Sequence, residues 1–159
     1  MKRNVLLLLL WAFLFPIVTM AAETGKNPPK DAKKELKIKE VFRIYGKRKN
    51  VVMVELSEDM LETYNIAYYQ GITIKNDPEA LNFVRKCLEK DQDGAKKIKE
   101  VMSDGNIISA YYQIPVKDSP VNCFILFKIN KKGVITLIYI EGELDSDDLI
   151  TILFNKKDL

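Results

Sequence analysis

The spacing of apolar residues changes along this chain, and each spacing predicts a type of secondary structure. Helical spacing comes first: residues 35–45 carry one apolar stripe, made by Ile38, Val41, Phe42 and Tyr45. Short β-branched runs then predict strands at residues 51–56 and 67–75. Ser57 and the acidic residues after it predict a short helix between these strands, because they cap free amides and favour the helix dipole.

Two further helical segments are predicted in the middle of the chain. Asp77-Pro78-Glu79 is a strong helix start, because aspartate caps free amides and proline fits the first turn. This helix should reach about Lys90. Beyond it, helical spacing recurs at Ile98, Val101 and Met102, so we expect a second helical piece that ends before Asp104-Gly105.

From residue 107 the spacing changes to two, which is typical of strands. We predict strands at residues 107–114, 121–129 and 134–141, joined by short links into an antiparallel meander. Apolar residues occupy both sides of the last two strands, as in the middle of a sheet. An acidic cap at residues 145–148 then predicts a final helix before a polar tail at residues 155–159, and its inner residues are Leu149, Ile152 and Leu153.

These elements predict an α+β fold. We expect a mainly antiparallel sheet of about five strands with helices on one face, ending in a three-stranded meander and a short helix. Residues 35–159 are the right length for a single domain with one core. The other face of the sheet should then be open to solvent.

The N-terminus has the pattern of a secretory signal peptide. Two basic residues, Lys2 and Arg3, precede an apolar run of about fourteen residues that ends at Val18, and small residues follow it up to Ala22. The run is shorter than the roughly twenty residues of a spanning helix. We predict a signal peptide at residues 1–22, a flexible leader at residues 23–34 and a periplasmic or secreted location. An uncleaved membrane anchor is the alternative.

Composition argues against several classes of function. Without the signal segment the net charge is about +1. A nucleic-acid-binding protein would be expected to have a clear excess of basic residues on one face, so this class of function is not favoured. The chain has no histidine, which excludes Ser-His-Asp and Cys-His catalysis and most zinc sites. No glycine-rich phosphate loop occurs. We therefore predict no catalytic residue, no cofactor and no metal, and we interpret the acidic run after residue 140 as a solvated helix start.

Two cysteines are predicted to face the core. Cys87 lies on the inner stripe of the helix that starts at Asp77, and Cys123 shares a strand face with Ile125 and Phe127. In an oxidising compartment they could form a disulfide worth about 2–4 kcal/mol. The alternative is a pair of buried, reduced thiols, since free cysteine is among the most buried residue types.

Tyrosine pairs give the candidate interaction surface. Alternation along a strand sends one member of Tyr68-Tyr69 and one member of Tyr111-Tyr112 to the outer face of the sheet. We predict Tyr69 and Tyr111 there, because exposed tyrosine is a rigid contact residue for partners. Ordinary packing within the sheet is the other interpretation.

The order of parts resembles a known group of proteins. The stretch Lys49-Asn50-Val51-Val52-Met53-Val54-Glu55-Leu56-Ser57, the Cys-bearing helix, the meander and Ile140-Glu141-Gly142-Glu143-Leu144 are similar to small secreted proteins of Bacteroides and relatives, which are catalogued as domains of unknown function. The resemblance implies an exported bacterial α+β domain and carries over no catalytic residue. Many members of the broader group look like lipoproteins, but this chain lacks the cysteine that would carry the lipid.

Together these features predict a non-catalytic binding or interaction module of the bacterial cell envelope. A small-ligand carrier with a cavity between helices and sheet is the alternative, and a His-free hydrolase is a more remote one. The expected partner is an envelope protein or a small ligand and not a nucleic acid. Contact with a membrane is expected only if the signal segment is uncleaved.

Overall fold

A computed structural model of the protein describes residues 35–154, with side chains to Ile152. The predicted signal peptide, leader and tail lie outside the described residues, as does the side chain of Leu153. The elements in chain order are α1 (Lys39–Tyr45), β1 (Val51–Val54), α2 (Glu58–Thr63), β2 (Ile66–Lys75), α3 (Pro78–Asp91), β3 (Lys96–Ser103), β4 (Asn106–Pro115), β5 (Asn122–Ile129), β6 (Val134–Gly142) and α4 (Ser146–Phe154).

All six strands form one antiparallel sheet in the order β1-β2-β6-β5-β4-β3. The predicted meander is confirmed as β4, β5 and β6, and the last two occupy the centre of the sheet. The α+β class and the antiparallel sheet are therefore confirmed. The strand number is not, because the described sheet has six strands and we expected about five.

The additional strand is β3, which we predicted as a helical piece. Its pairing with β4 shifts register between Lys97 and Lys99 and again between Val101 and Met102. The first shift adds Ile98 to β3 and the second adds a residue to β4, so the apolar residues of β3 do not follow the alternation of two that identifies a strand. The apolar spacing that looked helical therefore belongs to an edge strand whose pairing with β4 is irregular.

Helices lie on both faces of the sheet, which corrects our expectation of one covered face. α1 and α3 pack on the first face, and together with the sheet they bury the larger of two apolar clusters. We call it the first-face core; its sheet residues include Ile72, Ile125, Phe127, Leu137 and Tyr139. α2 and α4 pack on the opposite face around Ile66, Tyr111, Phe124, Ile140, Leu144 and Leu149, which we call the second-face core.

The start of α3 follows the local chemistry that the sequence predicts. Asp77 is its N-cap, and the Asp77 side chain accepts a hydrogen bond from the Ala80 amide at 2.9 Å. Pro78 occupies the first turn, where an amide would have no helical partner. The inner stripe of this helix, which includes Val84, Cys87 and Leu88, is buried as expected.

A buried carboxylate holds the beginning of α1. Asp91, at the end of α3, accepts hydrogen bonds from the amides of Lys37 at 2.9 Å and Ile38 at 2.7 Å. Both amides lie in the turn that leads into α1, where helical partners are missing. The pair of bonds therefore ties the two helices of the first face together.

Candidate functional site

The two predicted surface tyrosines lie on the same face of the sheet but in different surroundings. Tyr69 is half-buried beside the second-face core, and burial raises the pKa of its hydroxyl. Tyr111 is only 8% exposed, and its hydroxyl donates a hydrogen bond to the backbone oxygen of Ser146 at 3.0 Å. The expectation that Tyr111 is exposed is wrong, because the start of α4 covers it. A contact role for Tyr69 stays a prediction.

Both cysteines lie in the first-face core, where we expected them. Cys87 is a buried thiol, and burial is the main reason that its pKa rises to about 11. The Cys123 sulfur lies 3.4 Å from the hydroxyl of Tyr139. A thiol with a raised pKa is a poor nucleophile at neutral pH, so Cys87 has a structural environment. The disulfide stays a prediction for the oxidised protein.

A polar cluster that the sequence analysis missed closes one end of the first face. The Lys39 amine lies 3.0 Å from Glu141 Oε1, and the Tyr139 hydroxyl donates to the same oxygen at 2.6 Å. The amine also lies over two aromatic rings, 5.6 Å from the centroid of Tyr68 and 5.1 Å from that of Tyr139. These contacts attach α1 to β6 through Glu141 and Tyr139 and to β2 through Tyr68.

A second polar group lies on the first face beside β3. The Tyr112 hydroxyl donates to Glu100 Oε2, and Lys97 Nζ lies 3.2 Å from Glu100 Oε1. The bond from Tyr112 is the main reason that the pKa of Glu100 is lowered. In this group, as in the Lys39 cluster, a lysine and a glutamate form an ion pair and a tyrosine hydroxyl donates a hydrogen bond to the glutamate. A hydrogen-bonded group of this kind restricts the side chains that take part in it.

The acidic run after β6 is a helix cap in the structure. Asp145 Oδ1 accepts hydrogen bonds from the amides of Asp147 and Asp148, both at 2.9 Å. The bond from the Asp148 amide is the main reason that the pKa of Asp145 is lowered. Within residues 35–154, no group of three or more acidic or cysteine side chains could hold a metal ion. No helix in this part of the chain combines the length and hydropathy of a membrane-spanning segment.

An exposed apolar strip lies where the second face meets the β1 edge. Val52 and Val54 are 53% and 43% exposed, and they pair with Thr73 and Gly71 of β2. A Cβ added at Gly71 would lie 3.4 Å from Val54 Cβ and 3.1 Å from the Tyr69 hydroxyl. The Tyr69 ring and Val54 therefore both lie next to Gly71, where the absence of a side chain leaves room for them. We call Val52, Val54 and Tyr69 the β1 strip.

The strip has the features of a contact surface. Its valines are exposed large hydrophobic residues, while the neighbouring Ile138 and Leu126 are half-buried beside the second-face core. Apolar side chains that continue from a core onto an open surface are typical of sites that bind another molecule. The sequence predicted one of its residues, Tyr69. The valines were missed because a β-branched run also fits a buried strand.

The described residues define an α+β domain with a six-stranded antiparallel sheet and helices on both faces. Over residues 29–153 the chain matches the model of a family of unknown function, DUF6108. The match covers most of the chain, and the protein belongs to this family. No curated protein and no solved structure matches the chain.

Proposed function

We propose that this protein is an exported, non-catalytic interaction module of the bacterial cell envelope and that it binds its partner through the β1 strip. The observation that carries the proposal is the exposure of Val52 and Val54 beside the half-buried Tyr69. When a partner covers large apolar side chains at a sheet edge, their removal from water stabilises the complex by roughly 25 cal/mol per Å² of apolar area buried.

A non-catalytic role is supported by the chemistry of the ionisable groups. The chain has no histidine, and the described clusters around Glu141 and Glu100 are closed by their own lysine and tyrosine partners. The thiol of Cys87 is buried with a raised pKa. An enzyme would instead need convergent groups that leave room for a substrate.

Export is supported by the N-terminal sequence and by the resemblance to small secreted proteins of Bacteroides and relatives. Lys2 and Arg3, the apolar run after them and the small residues up to Ala22 follow the order that the export machinery recognises. N-terminal sequencing of the protein from its own cells tests this part of the proposal. A new N-terminus near residue 23 is expected, and an intact Met1 in the mature protein would contradict cleavage.

Binding is tested by crosslinking and pull-down from the native envelope. Two baits are compared: the wild-type protein in the form that is isolated from its own cells, and a Val52→Ser, Val54→Ser double variant in the same form. Met102→Ser is the matched control, because Met102 is 52% exposed on β3 at the opposite edge of the sheet. We expect a partner that the wild type and the control capture and the double variant loses.

Two other results would count against the strip. Equal capture by all three baits would place the contact elsewhere on the molecule. Recovery of small molecules alone, detected by native mass spectrometry, would favour the ligand carrier over the interaction module.

A further inference from the structure

The two edges of the sheet differ in how they are protected against pairing with another strand. β3 carries three lysines, Lys96, Lys97 and Lys99, and its pairing with β4 is interrupted by two register shifts. Charged residues and bulges are the usual means by which an edge strand avoids a second strand. β1 has neither: its four residues are Val51, Val52, Met53 and Val54, and its register with β2 runs without a shift.

Charges of opposite sign flank β1 on its two sides. Lys47, Arg48 and Lys49 come just before the strand, and Glu55, Glu58 and Asp59 come just after it. Lys49 and Glu55 are exposed, and neither has an ion pair within residues 35–154. An antiparallel copy of this segment would bring its acidic side to the basic side of the first. A parallel copy would bring like charges together.

The segment is therefore complementary to itself in one orientation. We propose that β1 is a homodimerisation edge, where two copies of this chain pair antiparallel about a two-fold axis and extend the sheet. This inference rests on the proposed function, because it names a second copy as the partner of the β1 strip. It adds an expectation that the proposed function does not contain, namely that charge on either side of β1 controls the association.

Side-chain alternation restricts the register of such a dimer. Val52 and Val54 face one side of the sheet, and Val51 and Met53 face the other side and pack beside the first-face core. Each face stays continuous only if residues of the same face lie opposite each other. One register that meets this condition sets Val52 opposite the second copy's Val52, and it brings the turn that carries Lys49 to the end of the second copy's β1 that Glu55 follows.

The strand is short, so the expected dimer is reversible. Four residues on each side give few backbone hydrogen bonds, and such an interface lies at the small end of those that proteins use. The flanking charges then decide whether association is measurable. Attraction between exposed charges is screened by salt, so the dimer should weaken as the ionic strength rises from about 0.05 M to about 0.5 M.

The inference is tested by sedimentation equilibrium on the protein in the form that is isolated from its own cells. Variants that exchange the charges on the two sides of β1 are compared with the wild type. Lys49→Glu or Glu55→Lys alone turns two attractive contacts of the symmetric dimer into two repulsive ones, and we expect about tenfold weaker dimerisation. The double variant Lys49→Glu, Glu55→Lys restores both attractive contacts, and its dimerisation should return to within about threefold of the wild type. Met102→Lys on the β3 edge is the control and should leave dimerisation unchanged.

The outcomes separate this inference from the proposed function. Loss in both single variants and recovery in the double variant would support the β1 dimer, provided that circular dichroism shows all variants folded. A chain that is monomeric up to about 1 mM would overturn the dimer, while capture of another protein through the β1 strip would preserve the interaction module. If the dimerisation constant is unchanged in all three charge variants and in Val52→Lys, β1 is not the dimer interface.

Discussion

The two faces of the sheet differ in how much apolar surface they bury and in how far helices cover them. Among residues 35–152, the first-face core contains nineteen buried side chains and the second-face core contains six. The first face is covered by two helices that Asp91 ties together, whereas the second is covered near α4 and open near β1. Most of the apolar burial that stabilises the domain therefore lies on one face, and the other keeps exposed apolar side chains at its β1 edge, where we propose that a partner binds.

Matched leucine truncations should give the largest difference between the faces. Leu137 and Leu149 are both fully buried, the first in the first-face core and the second in the second-face core. Leu137→Ala should lower the free energy of unfolding by about 4 kcal/mol and Leu149→Ala by about 2 kcal/mol, because the smaller core relaxes more readily around a cavity. Urea denaturation measures both. Equal costs would show that the two cores contribute equally.

The buried cap of α1 should give the next largest effect. Asp91→Ala removes the acceptor of two amide hydrogen bonds and leaves the amides of Lys37 and Ile38 without it, so we expect a loss of about 2–3 kcal/mol. Asp77→Ala is the control, because the Asp77 side chain caps α3 with a single amide bond and should cost about 1 kcal/mol. Thermal unfolding of both variants tests this ranking, and a smaller loss for Asp91→Ala would reject it.

Tyr111 and Tyr112 allow a comparison of neighbouring positions on opposite faces. Tyr111→Phe removes the bond to the Ser146 backbone and should cost about 1 kcal/mol, with faster amide exchange in α4. Tyr112→Phe removes the bond that lowers the pKa of Glu100. Since the folded pKa of Glu100 lies below its unfolded value, its contribution to stability is present above the unfolded value and is lost as the pH falls through the folded one.

The two tyrosine variants should therefore differ in their pH dependence. The stability difference between wild type and Tyr112→Phe should narrow below about pH 4, the range where a free glutamate is protonated. The difference for Tyr111→Phe should stay constant across the same range, because its acceptor is a backbone oxygen. Urea denaturation at a series of pH values measures both, and parallel curves would contradict the role of Glu100.

The smallest change in the pH dependence of stability near neutral pH is expected from Cys87. Its pKa is raised to about 11 in the folded protein, so the stability it contributes is complete below the unfolded pKa, near 9, and is lost as the pH rises toward about 11. In Cys87→Ala, the free energy of unfolding should fall less steeply as the pH rises from about 9 to about 11. Alkylation with mass spectrometry reports the thiol state: slow modification of native Cys87 is expected, and a mass that shows no modifiable thiol after unfolding would establish the disulfide instead.

The sequence predicted the elements whose signals are local. The start of α3 at Asp77 and Pro78, the inward position of Cys87 and the order of the meander all depend on residues that are close in sequence. Capping, proline geometry and alternation act within one or two turns, so they can be recognised without knowing the rest of the fold. These predictions are confirmed for that reason.

The missed features depend on contacts between distant parts of the chain. β3 was predicted as helical because the extra residue Ile98 in its pairing with β4 cannot be recognised from the spacing of β3 alone. Lys39 and Glu141 carry no local sign of their ion pair, which forms where α1 crosses the end of β6. Tyr111 was expected to be exposed because alternation gives a face of the sheet and does not say which helix lies on that face.

By itself the sequence determined the types of most elements, the pairing of the meander and the absence of histidine chemistry, because spacing and composition are properties of the chain alone. Tertiary structure decided which side of the sheet each helix covers. An amphipathic helix buries its apolar stripe equally well on either face, and the choice depends on packing and chain connections across the whole domain. That choice buried Tyr111 under α4 and left Val52 and Val54 exposed at the edge.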